Sequence, residues 1–333
     1  VYDCHVWLVG VVTEFTEITV VGEDDTGLIA GVTSLLFERG VNIEGLDQAV
    51  REGVFRMTMR VDTAEMVCTR SKLRSDLQAL GEDLGVDLRV RFPADRDTQR
   101  IAVLVTKESH CLEAVLDAHA DETLGAEVST VVGNHPDLAP LAEDHEIPFH
   151  DIGDEKGTPD EGKLLSLLEK YDIDLVVLAR YMRILSPDVV FRYENRIINV
   201  HPSLLPAFPG AEAYLQALEE GVRIAGVTAH YVTTDLDQGP IIAQRAFNVP
   251  PDADVGQLRR LGQPLEAEAL LDAIDLHLRD AVTVHRGRTR LRDPDEHDAQ
   301  LGAPPVLGAH NPDRPLDRQV ENQLGGPDGR VED

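Results

Sequence analysis

Asn199 and His201 stand two residues apart in the run Arg196-Ile197-Ile198-Asn199-Val200-His201, and Pro202 follows. Side chains two apart on a strand share a face, and proline ends strand pairing. The spacing therefore predicts a buried strand that presents an amide and an imidazole together at its carboxyl end. In open α/β sheets that edge is where ligands bind. Asp237, 36 positions after His201 in Leu236-Asp237-Gln238-Gly239-Pro240, adds a carboxylate. An amide N–H stabilises a developing oxyanion, an imidazole moves a proton, and a carboxylate orients the imidazole or a water. That trio suits acyl transfer without a covalent intermediate. Each residue also has a plain structural reading. Asn199 could satisfy buried backbone groups, His201 could cap the turn before Pro202, and Asp237 could be a turn residue before Gly239.

The elements that must position these residues fall into two regions. Residues 17–22 alternate as a strand, and the polar turn Glu23-Asp24-Asp25-Thr26-Gly27 leads into apolar residues at helical spacing up to Gly40. Strands are expected near 41–51 and 55–61, a helix over 66–84 and a last strand over 86–90. The order βαββαβ is the ferredoxin-like plan, assigned to 16–92. A polar connector, 92–97, precedes a second region over 99–291. There, apolar strands at 101–106, 128–133, 148–150 and 174–179 alternate with helices near 111–118 and 162–171. Later strands are expected at 226–232 and 240–244, and a helix over 265–281. Continuous apolar strands alternating with helices predict an α/β fold with a mostly parallel, doubly covered, Rossmann-like sheet.

The segment Asn199-Val200-His201-Pro202-Ser203-Leu204-Leu205-Pro206, with Asp237 at its fixed distance, resembles the folate-dependent formyltransferase family. The likeness covers roughly residues 100–291. It implies that Asn199, His201 and Asp237 are catalytic on the formyl group of 10-formyltetrahydrofolate, with no metal and no other cofactor. Tyr181-Met182-Arg183-Ile184-Leu185-Ser186 resembles the family's folate cleft, so Met182, Arg183, Ile184 and Leu185 are carried over as folate contacts. So is the loop Val232, Thr233, Thr234, Asp235 and Leu236, which closes over the pterin. For Ile184 and Leu185 core packing is the competing reading. His230 is placed beside the trio as a supporting residue, or as a packed core histidine. The region 16–92 resembles an ACT domain through Asp24-Asp25-Thr26-Gly27-Leu28-Ile29-Ala30 and Gly40-Val41-Asn42-Ile43. That likeness implies a paired domain binding an amino acid such as glycine or methionine. Contacts would come from the turn amides near Asp25, Thr26, Gly27 and Leu28, and from Asn42 with Ile43. The alternative is a homo-oligomerising module without an effector.

Family members that formylate glycinamide ribonucleotide carry a Gly-rich phosphate turn after the first strand. Here that position reads Val105-Thr106-Lys107-Glu108-Ser109-His110-Cys111-Leu112. It lacks the glycines, and Glu108 would oppose a phosphate. The segment instead resembles formyltetrahydrofolate deformylases, as do Val132-Gly133-Asn134-His135, Ile147-Pro148-Phe149 and Ala207-Phe208-Pro209-Gly210-Ala211. One departure is His201-Pro202-Ser203-Leu204, which has the transferase-style Pro and Leu. The expected reaction is hydrolysis to formate and tetrahydrofolate, serving purine synthesis and the one-carbon pool. The alternatives are a glycinamide ribonucleotide formyltransferase and a non-catalytic folate-binding ACT sensor.

Composition narrows the setting. Sixty acidic residues against 31 basic ones give a net charge of −29. Such a surface repels nucleic acid and anionic membranes. Only five of the bases are Lys, which favours adaptation to high salt, where screening removes self-repulsion. Three cysteines, Cys4, Cys68 and Cys111, show no pairing pattern and point to a reducing cytoplasm. The apolar opening lacks a basic flank and a cleavage site, unlike a signal peptide, and no run has the roughly 20 apolar residues of a membrane helix. Residues 292–333 hold six Pro, five Gly and ten acids. Such a tail is expected to stay disordered.

Overall fold

Ile101 to Val105 are five consecutive residues with no exposed surface. Alternate members enter different cores: Ile101, Val103 and Val105 one, Ala102 and Leu104 the other. A strand covered on both faces requires this. In the computed structural model, which describes residues 16–51, 53–92 and 98–292, the run belongs to the central strand of the larger domain. The opening segment, the connector 93–97 and the acidic tail over 293–333 lie outside the described residues.

The smaller domain comprises β1 (Thr16–Glu23), α1 (Leu28–Glu38), β2 (Asn42–Arg51), β3 (Val54–Asp62), α2 (Arg70–Leu84) and β4 (Val86–Arg91). Its antiparallel sheet has the order β2-β3-β1-β4. Ile18, Val20, Met57, Met59 and Val61 face Leu28, Val32, Leu36, Leu73 and Leu77 of the two helices. The βαββαβ expectation holds. α2 begins four residues later than the sequence suggests, because the Thr69 side chain accepts the Lys72 N–H at 3.2 Å and caps the helix there.

The larger domain contains β5 (Arg100–Val105), α3 (His110–Ala120), β6 (Glu127–Gly133), α4 (Ala139–Asp144), β7 (Phe149–Asp151), α5 (Glu161–Lys170) and β8 (Leu175–Leu178). It continues with α6 (Pro187–Arg192), β9 (Ile197–His201), α7 (Ala213–Glu219), β10 (Ile224–Tyr231), β11 (Ile241–Asn248) and α8 (Val255–Leu278). A hairpin of β12 (Val282–His285) and β13 (Arg288–Leu291) follows. The seven-stranded sheet runs β11-β10-β9-β8-β5-β6-β7. β7, β6, β5, β8 and β9 are parallel, whereas β10 and β11 are antiparallel. α3, α4 and α8 cover one face, and α5 and α6 the other. The chain winds outward from β5 to β7 and then returns to β8 on the other side of β5. The topological switch point lies between the carboxyl ends of β5 and β8, where this class of sheet opens a crevice.

α8 starts ten residues before the sequence suggests. Pro264 lies inside it, and Gly256 and Gly262 read as breakers. The Asp254 carboxylate accepts the Gln257 N–H and caps the helix, Leu258 is buried near its start, and burial of Ala269, Leu270, Ala273 and Ile274 holds it to the sheet. Among the described residues no helix is long and apolar enough to cross a membrane.

His277 on α8 is buried, and its Nδ1 accepts a hydrogen bond from the Tyr231 hydroxyl at 2.8 Å. Burial first, then the Arg91 and Arg196 charges, pushes its pKa down to about 4. The unfolded chain, with a histidine pKa of about 6.5, binds the proton more readily than the native state. The neutral imidazole therefore contributes stability above about pH 6.5, and that contribution drains away as pH falls toward 4. Its size is about 3 kcal/mol. Thermal melts should show a falling midpoint from pH 7 to 4. His277→Asn, which keeps an acceptor for Tyr231, should flatten that slope, and an unchanged slope would remove His277 as the cause.

Candidate active site

β9 and β10 pair antiparallel with Asn199 opposite His230 and Thr228 opposite His201. The register brings four polar side chains from two strands, Asn199, His201, Thr228 and His230, to one end of the sheet. His230 is buried, and its Nδ1 donates to the Tyr231 carbonyl at 2.9 Å. Burial lowers its pKa, more than the Tyr231 carbonyl and Asp237 raise it. The ring is therefore neutral near pH 7, and Nε2 is its acceptor. Asn199 Nδ2 lies 3.2 Å from that atom and donates to it. One amide N–H is thus fixed, and the planar carboxamide holds the second N–H in a set direction.

Asp237 arrives from the loop after β10. The Gly210 N–H donates to its Oδ2 at 2.7 Å, and the same oxygen lies 3.4 Å from His201 Nδ1. Oδ1 lies 3.9 Å from His230 Nε2. His201 Nε2 donates to the Phe208 carbonyl at 2.9 Å, so its Nδ1 is the edge open to proton exchange alongside Asp237. The loop can take this path because residue 239 is glycine. A Cβ there would stand 1.7 Å from the Tyr231 carbonyl oxygen.

These groups line a cleft of about 580 Å³, within the range of small-molecule sites. Met182, Arg183, Ile184, Leu185, Val232, Thr233, Thr234 and Leu236 line it with the trio and His230. Met182 and Ile184 are 53% and 73% exposed, apolar surface that a flat ring could cover. Leu185 is buried and also packs in the core. Asp235 differs: it is not among the lining residues, and its carboxylate takes both ends of the Arg51 guanidinium from β2. That bond lowers its pKa. In the smaller domain, Asp25, Thr26 and Gly27 form an exposed turn, with the Thr26 N–H donating to Asp25 at 2.6 Å. Leu28 instead points into the core. Asn42 is exposed and Ile43 half-buried at the start of β2.

A largely buried cluster beside the trio leaves almost no trace in the sequence. Arg180 Nε donates to Glu108 at 3.0 Å and lies 3.3 Å from Glu266 Oε2. His110 Nε2 is 3.0 Å from the same Glu266 oxygen, and the Tyr214 hydroxyl donates to Oε1 at 2.7 Å. Burial would raise the Glu266 pKa, but His110, Arg180 and Tyr214 together hold it below the usual range. His110, Cys111 and Glu266 bring three metal-binding atom types within 4.8 Å. Both Glu266 oxygens are already occupied, a guanidinium abuts one, and burial pushes the Cys111 thiol up. The set is an ion-pair cluster rather than a metal cradle. Its only sequence signal was Glu108, since Arg180, Tyr214 and Glu266 lie far apart in sequence.

Comparison with known proteins agrees with this architecture. Residues 99–274 match the formyl transferase family, and residues 15–91 match the ACT domain family. The chain is 38% identical over 271 residues to the formyltetrahydrofolate deformylase of Bacillus subtilis, covering 80% of this chain and 90% of that one. A crystal structure of a formyltetrahydrofolate deformylase from Pseudomonas syringae superposes with a TM-score of 0.57 at 29% identity, covering 86% of this chain and 96% of that one. A glycinamide ribonucleotide transformylase from Symbiobacterium toebii gives a TM-score of 0.57 at 34% identity. That match covers 61% of this chain and 97% of that one.

The Arg51–Asp235 pair ties the smaller domain to the loop that ends at Asp237. Both partners are about half exposed, so the pair should steer the loop rather than stabilise the fold. Calorimetric titration with tetrahydrofolate should find binding to Arg51→Ala weakened about 2–5-fold at the lowest salt that keeps the parent folded, the scale of an exposed ion pair. Its melting temperature should match that of the parent. Equal affinities would show that the bridge leaves the loop unaffected.

Proposed function

The chain belongs to the formyltetrahydrofolate deformylase family, and on that premise we propose that it hydrolyses 10-formyltetrahydrofolate to formate and tetrahydrofolate. The observation that carries this reading is the convergence of Asn199, His201 and Asp237 on one cleft with an apolar wall. The pterin lies against Met182, Arg183, Ile184 and Leu185, under the loop of Val232, Thr233, Thr234, Asp235 and Leu236. Water attacks the formyl carbon, and the carbonyl electron pair moves onto oxygen. The amide N–H of Asn199 that His230 does not use donates to that oxyanion. His201, aligned by Asp237, takes the proton from water and passes one to the N10 nitrogen as the C–N bond breaks. No metal enters this scheme, because proton removal and orientation activate the water.

We further read 16–92 as a regulatory ACT domain, 99–291 as the catalytic domain and 292–333 as an acidic tail. β2 is an edge strand with Leu46 and Val50 exposed. That supports pairing of ACT domains into a homo-oligomer. The exposed Asp25-Thr26-Gly27 turn, with Asn42 and Ile43, is the proposed place for an amino-acid effector such as glycine or methionine. The unpaired cysteine pattern fits a reducing cytoplasm, where the released formate would feed purine synthesis. The charge of −29 with five Lys fits work at high salt, so assays belong in concentrated salt.

Formate should appear from 10-formyltetrahydrofolate without any acceptor amine. If tetrahydrofolate forms only when glycinamide ribonucleotide is added, the chain is a transferase. Bound folate with no turnover in either assay would make it a sensor.

Replacing Asn199 with Ala should lower kcat about 100–1,000-fold, the typical value of one oxyanion donor. His201→Ala should cost about 100–10,000-fold. Asp237→Ala should also remove most turnover, and the losses should not add, because the three act as a unit. Near-normal kcat in His201→Ala would end this mechanism.

A further inference from the structure

The switch-point crevice of a doubly wound sheet is its natural ligand entrance. Here it is occupied by protein charge. Glu108 follows β5 and Arg180 follows β8, so their ion pair spans the mouth between the two strands. Arg180 is only 9% exposed and sits in the left-handed backbone region, with φ +62. Bulky residues seldom adopt that conformation unless their surroundings impose it. Glu266, 1% exposed, backs the guanidinium from α8, and His110 and Tyr214 satisfy the rest of its carboxylate. Glu108, Arg180 and Tyr214 line the same cleft as Asn199 and His201.

Charge decides what this side of the cleft admits. A buried guanidinium is a strong phosphate ligand when its fork is open. This one faces two carboxylates, so the three groups carry a net charge of −1 before any proton on His110. A phosphorylated molecule would meet occupied donors and like charge. Water needs neither a free cation nor room for a phosphate.

We propose that the Glu108–Arg180–Glu266 cluster is the acceptor-specificity element of this site: it neutralises the guanidinium at the switch point, excludes phosphorylated amines and leaves water as the acceptor. The proposal rests on the hydrolytic reading above and deepens it. Glu108 is the determining residue. It is partly exposed, lies on a loop and closes the guanidinium from the cleft side. Its removal should expose one face of Arg180 to an anion while Glu266 still holds the other.

The test uses the full chain and inorganic phosphate at fixed ionic strength, followed by calorimetry. The parent protein should show no saturable binding. Glu108→Gln should gain about tenfold or more in phosphate affinity, the scale of one charge-assisted Arg contact. Phosphate should inhibit its formate release in step. Glu108→Asp, which keeps the charge on a shorter arm, should restore exclusion. Glu108→Gln with Arg180→Met should lose the gained affinity. Glu143→Gln removes an equal charge from an exposed site and should gain nothing. The proposal falls if the parent binds phosphate saturably, or if Glu108→Gln binds no better than the parent. It falls equally if the gain survives loss of Arg180, or appears in Glu143→Gln. A melting change in Glu108→Gln without phosphate binding would assign the cluster a structural role and overturn the proposal. Formate release by the parent without acceptor reports on the hydrolytic reading alone, so the two failures are distinguishable.

Discussion

The register between β9 and β10 is the constraint from which the site follows. It sets Asn199 opposite His230, and that pairing turns two separate strand residues into one oriented amide. A slip of one residue would send both side chains to the other face of the sheet. The β10–β11 ladder shifts register between Ala229 and His230. Such irregularities re-aim a side chain and are common beside functional sites. Burial keeps the His230 imidazole neutral, which leaves it able to accept the Asn199 hydrogen bond. A charged ring would have no acceptor nitrogen, and the amide would lose its anchor.

Much of this was legible in the chain. The parallel strands announced themselves as unbroken apolar runs, and Asn199, His201 and Asp237 by type and spacing. The limits were equally physical. Pro264 stands just before the helix expected over 265–281, yet α8 begins at Val255 and runs through it, with Leu258 and Gly262 buried ahead of the proline and Ala269, Leu270, Ala273 and Ile274 in the core beyond it. Asp235 reads as a member of the folate loop, and only the partner domain reveals that its carboxylate is engaged by Arg51. Long-range polar clusters leave no local period, so Glu266 looked like any helix-face carboxylate.

Charge is used in two ways by this chain. Across the chain, acids outnumber bases nearly two to one, and salt screens the mutual repulsion of those in contact with solvent. Inside, charges occur where a guanidinium is enclosed by carboxylates. Arg180 with Glu108 and Glu266 is one case, and Arg56, 3% exposed between Asp47 and Glu194, is another. Arg suits such places because its planar fork bonds several carboxylate oxygens at once and stays charged when buried. Removing one member of such a group leaves a stranded charge, which costs far more than the intact group contributes. These clusters therefore act chiefly to fix one arrangement.

That distinction separates two roles among the bridges between the domains. Arg56 with Glu194, and Arg192 with Asp87, join the small domain to α6 and its following turn through largely buried guanidinium groups. Salt screens these less than an exposed pair, so they weaken less as ionic strength rises. Arg51 with Asp235 is half exposed and falls on the loop that carries Asp237. Concentrated salt weakens that bridge first, freeing the loop while the domain contact persists. A ligand seated at the start of β2 would act on the same strand that ends in Arg51. Its influence on Asp237 would then pass through one screened ion pair. Coupling along that route would weaken as ionic strength rises.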